Sequence, residues 1–159
     1  MKFVTVAVAV LMVAAVAAYA ASPTNVFEEK KLVPNDAPGD GREGGETIAT
    51  AWVIPSLPFN DQGDTSDNID DYDEVCPYDG STSPDVVYAF TPDTDMCISV
   101  DLCTSLYDTK VYMYENMHTP NAPYACNDDN ASCVNLWRSW LENVFVAAGN
   151  TYYIVVDAY

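Results

Sequence analysis

Residues 97–103 read "CISVDLC", and this short stretch has the clearest periodicity in the chain. The apolar side chains Ile98, Val100 and Leu102 alternate with polar ones. In an extended strand successive side chains point to opposite faces, so this pattern gives one apolar face and one polar face. The stretch therefore predicts a β-strand with one side against a hydrophobic core.

Four other stretches have the apolar runs or the alternation of strands: "DVVYAFTP" (85–92), "KVYMYE" (110–115), "LENVFVA" (141–147) and "TYYIVVDAY" (151–159). The segments between them are short and rich in Asp, Asn, Pro and Gly, which is typical of an all-β sandwich. We predict an all-β fold, an antiparallel β-sandwich. The strand at 151–159 is expected to be an edge that lacks a final hairpin partner, or else a central strand paired on both sides.

Three segments before residue 85 have weaker signals. Residues 46–54, "ETIATAWVI", predict a turn of helix or a first strand. Residues 56–59, "SLPF", predict an edge strand, because proline removes a ladder hydrogen bond. Residues 60–85 predict an acidic loop.

Residues 1–20 have the composition of a signal peptide. Lys2 precedes an apolar run from Phe3, and Ala18-Tyr19-Ala20 supplies small residues for cleavage after Ala20. A membrane anchor is the alternative for this run. Residues 21–45 contain few apolar residues and several Pro and Gly, which predicts a flexible leader before a domain at 46–159. The expected location is secreted or extracytoplasmic, with no membrane insertion after cleavage.

The formal net charge of the 159-residue chain is -18. No Lys or Arg lies between Arg42 and Lys110, an interval that contains fifteen Asp and Glu. Such a surface disfavours nucleic acid and anionic lipid as partners, and it attracts cations. Calcium is the predicted cofactor, because scattered loop carboxylates and carbonyls can supply its six to eight oxygen ligands.

No window fits the spacing of an EF-hand loop, so the candidate calcium donors come from three separate places. The alternative is a solvated acidic surface that keeps the protein soluble. The candidate donors are Asp70, Asp71, Asp73, Asp85, Asp108, Asn127, Asp128 and Asp129.

Five cysteines in an exported chain predict disulfides, and because the number is odd, one cysteine is left over or has a partner outside this chain. Cys126 and Cys133 flank the short loop "CNDDNASC", which makes them the first choice for a pair. The connectivity of the other three cysteines does not follow from the sequence.

Trp137 and Trp140 lie in the irregular stretch "LWRSW". Exposed tryptophans beside a polar loop can stack on a sugar ring or anchor a protein partner, which makes both residues candidates for ligand binding. The alternative is packing against the edge of the sandwich. The predicted partners are therefore an extracellular protein or a polysaccharide.

The order of these motifs resembles the bacterial pre-peptidase C-terminal domain, over roughly residues 45–159. The resemblance lies in a Phe-containing strand, an Asp-x-x-hydrophobic strand and a Gly-x-Tyr-Tyr strand, here Tyr88 with Phe90, Asp108 with Val111 and Tyr112, and Gly149 with Tyr152, Tyr153 and Val155. The resemblance implies a secreted β-sandwich of jelly-roll-like form that serves as a non-catalytic accessory module, and several modules of this family bind calcium. The family has one more strand after the Tyr-Tyr strand, so the resemblance implies a domain truncated at its C-terminus.

These observations predict a secreted non-catalytic β-sandwich module, stabilised by calcium, that serves surface attachment or binds a polysaccharide or a protein. An alternative is the N-terminal fragment of a larger secreted hydrolase, such as a peptidase, with its catalytic domain outside this chain. A third possibility is an enzyme that uses Asp70, Asp71 and Asp73. No catalytic residues are predicted.

Overall fold

The structure, a computed structural model, describes residues 3–10, 44–78 and 81–159. The predicted leader lies outside the described residues except for Gly44 and Gly45. Gly45 is already part of the fold, because its N–H and carbonyl each form a backbone hydrogen bond with Val87, at 2.9 and 2.8 Å.

The described residues form nine strands and two 3-10 turns, at Ile48–Thr50 and Thr65–Asp67. The strands are β1 (Phe3–Val10), β2 (Trp52–Val53), β3 (Phe59–Asp64), β4 (Val86–Phe90), β5 (Met96–Asp101), β6 (Thr109–Glu115), β7 (Ala125–Asn127), β8 (Trp140–Val146) and β9 (Tyr152–Ala158).

The strands form two sheets. Sheet A has the order β3-β1-β5-β8 and sheet B the order β2-β4-β9-β6-β7. One apolar core takes side chains from both, among them Ile98 and Val100 of sheet A and Val111, Ile154 and Val156 of sheet B. The prediction of an all-β sandwich is confirmed, and only the parallel pairing of β2 with β4 departs from the antiparallel pattern.

Strand β9 lies in the middle of sheet B, between β4 and β6. In β9, Val156 lies opposite Val86 of β4, and Ala158 lies opposite Thr109 of β6. The expectation of an unpaired edge is therefore wrong, and the alternative of a central strand is confirmed. Burial on both faces explains its nearly continuous apolar sequence.

The segment predicted as an acidic loop at 60–85 has two parts. Its start is a strand, β3, which forms the polar edge of sheet A. Further along, Tyr72, Glu74 and Cys76 are buried while their neighbours are exposed. Tyr72 and Cys76 pack with Tyr112 and other residues of sheet B, so this acidic segment covers the outer face of that sheet.

Strand β1 occupies the position between β3 and β5 in sheet A. It pairs with β3 from Phe3↔Asp64 to Val8↔Phe59, and with β5 from Ala7↔Asp101 to Val10↔Ile98. These residues lie inside the predicted signal peptide, so cleavage after Ala20 would remove β1 from the sheet. The cleavage itself stays a prediction.

Within the described ranges, the chain has no helix with the length and apolar character needed to cross a membrane.

Two disulfides are formed, between Cys76 and Cys126 and between Cys103 and Cys133. Cys97 is the free cysteine. The predicted pair Cys126–Cys133 is therefore wrong. Each end of the "CNDDNASC" loop is tied to a different segment, because pairing follows the proximity of strands in space rather than along the sequence. Two disulfides are typical of an oxidising compartment.

Candidate metal centre

One end of sheet B gathers three chain segments. Strand β6 is flanked by β7 and β9. Val111 lies opposite Asn127, and Thr109 lies opposite Ala158. The residues just before β6, just after β7 and just after β9 therefore meet at this end.

Three carboxylates converge there: Asp108 before β6, and Asp128 and Asp129 after β7. One oxygen from each lies within 4.8 Å of the others. Calcium–oxygen distances are about 2.3–2.6 Å, so two oxygens that share one ion are at most about 5.2 Å apart. The spacing of these three oxygens therefore fits one shared cation.

Burial distinguishes this cluster from an ordinary acidic surface. Asp128 is 3% exposed. Among the described residues, no hydrogen-bond partner reaches Asp128 Oδ2 or Asp108 Oδ1, although both oxygens are buried. A buried polar atom without a partner is costly, and a cation at this point would satisfy both.

The electrostatics of the cluster favour a positive ligand. Burial, together with the charges of Asp129 and Asp108, raises the pKa of Asp128 to about 6, although Lys110 acts in the opposite direction. Burial and the charge of Asp129 also raise the pKa of Asp108, against the effect of Arg138. Both carboxyls are thus destabilised as anions by their surroundings, and a bound cation would reverse this effect.

Hydrogen bonds hold the backbone of the cluster in place. The Ser139 hydroxyl lies within hydrogen-bonding distance of two carbonyl oxygens, that of Asp128 at 2.7 Å and that of Thr109, and can donate to either. The N–H of Tyr159 donates to the carbonyl of Asp108 at 3.2 Å. The cluster is therefore fixed by β6, by the end of β9 and by the segment that leads into β8.

The other predicted donors are placed differently. Asp70 and Asp71 are exposed, and Asp85 is fully buried with Oδ2 accepting hydrogen bonds from the N–H groups of Asp71 and Tyr72, both at 2.9 Å. Asn127 Oδ1 accepts from the N–H of Trp140 at 2.8 Å. In the described part of the chain, Asp70, Asp71 and Asp85 join no cluster of three or more His, Cys, Asp or Glu side chains.

Asp73 has a cationic neighbour of its own. Its Oδ1 lies 3.7 Å from Nζ of Lys110, whose side chain is fully buried. Lys110 also lowers the pKa of Asp157 and of Asp128. A single buried lysine is therefore shared by several carboxylates.

The cluster opens into a cavity of about 290 Å³, lined by Tyr78, Asp108, Asp128, Asp129, Trp137 and Tyr159. Trp137 thus lies at the site, whereas Trp140 is half-buried at the start of β8 and does not line the cavity. Ligand binding by either residue stays a prediction. Tyr78 and Tyr159 were missed as site residues, although the pairing of 151–159 with 110–115 would have indicated Tyr159.

No family model, no curated protein and no solved structure matches this chain. The resemblance to the pre-peptidase C-terminal domain therefore stays a prediction. What the fold and the site define is an all-β sandwich with three carboxylates at one end of its five-stranded sheet.

Proposed function

We propose that this chain is an exported, non-catalytic binding module whose β-sandwich is stabilised by calcium between Asp108, Asp128 and Asp129. The observation that carries the proposal is the convergence of buried, unpartnered carboxylate oxygens from two separate segments. A relationship to pre-peptidase C-terminal modules is part of the same proposal, as is attachment to a surface through a polysaccharide or a protein.

The chemistry of the donors selects the metal. All three are carboxylates, which are hard oxygen ligands. Zinc prefers nitrogen and sulfur ligands, and magnesium demands nearly ideal octahedral geometry. Calcium accepts six to eight oxygens in flexible arrangements, so it suits a site built from loop residues.

A binding role is supported over catalysis by the way the carboxylates are arranged. An acid–base pair for glycoside hydrolysis flanks a gap that holds the bond to be cleaved. Here the three oxygens approach one common point. The same end of the molecule presents exposed aromatic rings, which suit contact with a partner.

Thermal unfolding tests the calcium site. A ligand that binds only the folded state raises its stability by mass action, so millimolar calcium should raise the Tm relative to chelator. Magnesium at the same concentration should give a smaller shift. Identical melting curves in calcium and in chelator would contradict the proposal.

Export is tested by the N-terminus of the protein recovered from the culture medium. Cleavage after Ala20 predicts that the mature chain begins at Ala21. Recovery of a chain that retains residues 1–20 would argue against cleavage and would leave β1 in sheet A.

A further inference from the structure

We propose that the metal centre binds a neutral polysaccharide, with calcium contacting two vicinal hydroxyls of one sugar while the ring stacks on Trp137. This inference rests on the calcium site proposed above and names the ligand class of that same site. It is carried by the side chains around the three carboxylates.

The first argument is the number of ligands that calcium needs. Six to eight oxygens surround the ion, and three carboxylates cannot supply all of them unless each binds with both oxygens. Asp128 lies buried at the floor of the cavity, whereas Asp129 is exposed. The remaining coordination positions therefore face the open cavity, where water or ligand hydroxyls can fill them.

The second argument is the exposure of the aromatic rings on the cavity wall. Tyr78 is 54% exposed, Trp137 63% and Tyr159 60%. Tyr78 and Tyr159 meet edge to face, with ring centroids 6.4 Å apart. By contrast, Tyr112 and Tyr152 of sheet B are completely buried. Flat apolar surfaces beside polar groups suit the face of a sugar ring, which carries C–H groups between its hydroxyls.

The third argument is the extent of the groove. A second cavity of about 570 Å³ shares Tyr78, Asp128 and Asp129 with the first. Its remaining lining includes Val75, Pro77 and Asn127. Two adjoining cavities along one edge suit several linked sugar units better than a single one.

The negative charge of the site and of the chain limits the class of polysaccharide that can bind. One calcium ion neutralises two of the three carboxylates, and the whole chain carries a net charge of -18. An anionic polysaccharide would therefore be repelled. A lysine side chain of a basic peptide is the competing ligand, but Asp128 Oδ2 is buried at the floor, where a small ion fits better than an ammonium group on its stem.

The test is calorimetric titration with galactomannan, a neutral polymer whose mannose and galactose units present vicinal hydroxyls. We expect binding in millimolar calcium and none in chelator. Trp137→Ala should weaken this binding about tenfold, the loss expected for one aromatic contact. The matched control is Phe145→Ala, since Phe145 is also exposed but lies on β8 away from the cavity. This control should bind like the unaltered protein.

The outcomes separate this inference from the proposal beneath it. Absence of galactomannan binding, with the calcium-dependent Tm shift intact, overturns the polysaccharide inference alone. Equal binding in calcium and chelator, or unchanged binding in Trp137→Ala, also overturns it. Binding of an oligolysine peptide in chelator that Trp137→Ala weakens would favour a basic partner instead. If calcium does not raise the Tm of the unaltered protein, both the calcium site and the polysaccharide inference are contradicted.

Discussion

Buried carboxylates lie in two contrasting surroundings in this molecule. On the outer face of sheet B, Glu74 accepts hydrogen bonds from the Tyr114 hydroxyl and the N–H of Asn121, at 2.7 and 2.8 Å. At the end of the same sheet, buried oxygens of Asp108 and Asp128 have no hydrogen-bond partner among the described residues. Burial is similar for Glu74 and Asp128, and the supply of donors differs.

The contrast shows that other buried carboxylates of this acidic chain receive hydrogen bonds from protein donors. Asp157 accepts from the hydroxyls of Tyr112 and Ser81 and from the N–H of Ala158. The Oδ2 atom of Asp85 accepts from two backbone N–H groups, although its Oδ1 has no hydrogen-bond partner within the described ranges. A buried carboxyl group that accepts hydrogen bonds from the protein, or that holds a proton, needs no metal ion. In the cluster with Asp128, two buried oxygens from neighbouring carboxylates, Asp108 Oδ1 and Asp128 Oδ2, have no hydrogen-bond partner among the described residues.

Among single substitutions, the largest expected effect comes from Asp85→Ala. Removing this acceptor leaves the N–H groups of Asp71 and Tyr72 without their partner, which should cost about 3 kcal/mol in the free energy of unfolding. Urea denaturation measures the loss, with the exposed Asp70→Ala as the matched control. Calcium should not restore the stability. A loss below about 1 kcal/mol would mean that the loop does not depend on this carboxylate.

The next largest effect is expected for Asp128→Asn. Calcium at a hundred times its Kd should stabilise the unaltered protein by about 2.7 kcal/mol, and this increment should disappear in the variant. In chelator the variant should be at least as stable as the unaltered protein, because it no longer buries an unpaired charge. Denaturation in both buffers measures this, with exposed Asp93→Asn as control. A calcium increment that survives in Asp128→Asn would place the ion elsewhere.

The dependence of stability on pH combines the contributions of three carboxyl groups. The pKa is raised to about 8 for Asp85, about 7 for Asp157 and about 6 for Asp128, with burial as the main cause. Unfolded aspartates have lost their protons by pH 5, so the folded state holds extra protons and should lose stability as the pH rises from 5 to 8. The slope is about 1.4 kcal/mol per pH unit for each extra proton.

This slope is measured by Tm in chelator across that range. Asp128→Asn should make the Tm less dependent on pH in the acidic part of this range, and Asp85→Asn in the alkaline part, because each substitution removes one titrating group. A Tm that stays level or rises between pH 5 and 8 would contradict the raised pKa values.

The smallest effects are expected in the loop before β4. Asp70 and Asp71 are exposed, so Asp70→Asn and Asp71→Asn should each change the free energy of unfolding by no more than about 0.5 kcal/mol. The calcium-dependent Tm shift should be retained in both. If either variant loses the shift, the calcium site lies in this loop and not at the cluster with Asp128.

The sequence predicted the strands that bury apolar side chains. Strands β4, β5, β6, β8 and β9 coincide with the predicted stretches because alternation or β-branched runs mark a buried face. The edge strand predicted at 56–59 overlaps β3 only at Phe59, and the rest of β3 was missed because a polar edge strand has no such face. Strand β7 has only three residues, too few to show a period.

The three carboxylates of the candidate site were named from the sequence, but their geometry and the tyrosines beside them were not. Asp108, Asp128 and Asp129 were each named as donors, in two separate groups. Their meeting depends on the register of β6 with β7, which local sequence does not specify. The disulfides were mispredicted for the same reason, since Cys126 is brought to Cys76 across 50 residues.

The pairing of strand β1 also determines when sheet A can form during synthesis of the chain. It pairs with residues as late as Asp101, so sheet A cannot close around it until that part of the chain has been synthesised. At roughly 5 to 20 residues per second, the intervening stretch of about 90 residues takes roughly 5 to 20 s to make. During that interval residues 3–10 have no partner strand β5. Recognition of the predicted signal peptide at 1–20 would therefore compete with the pairing of β1 only after β3 and β5 have been synthesised, and would be least opposed in the first seconds of synthesis.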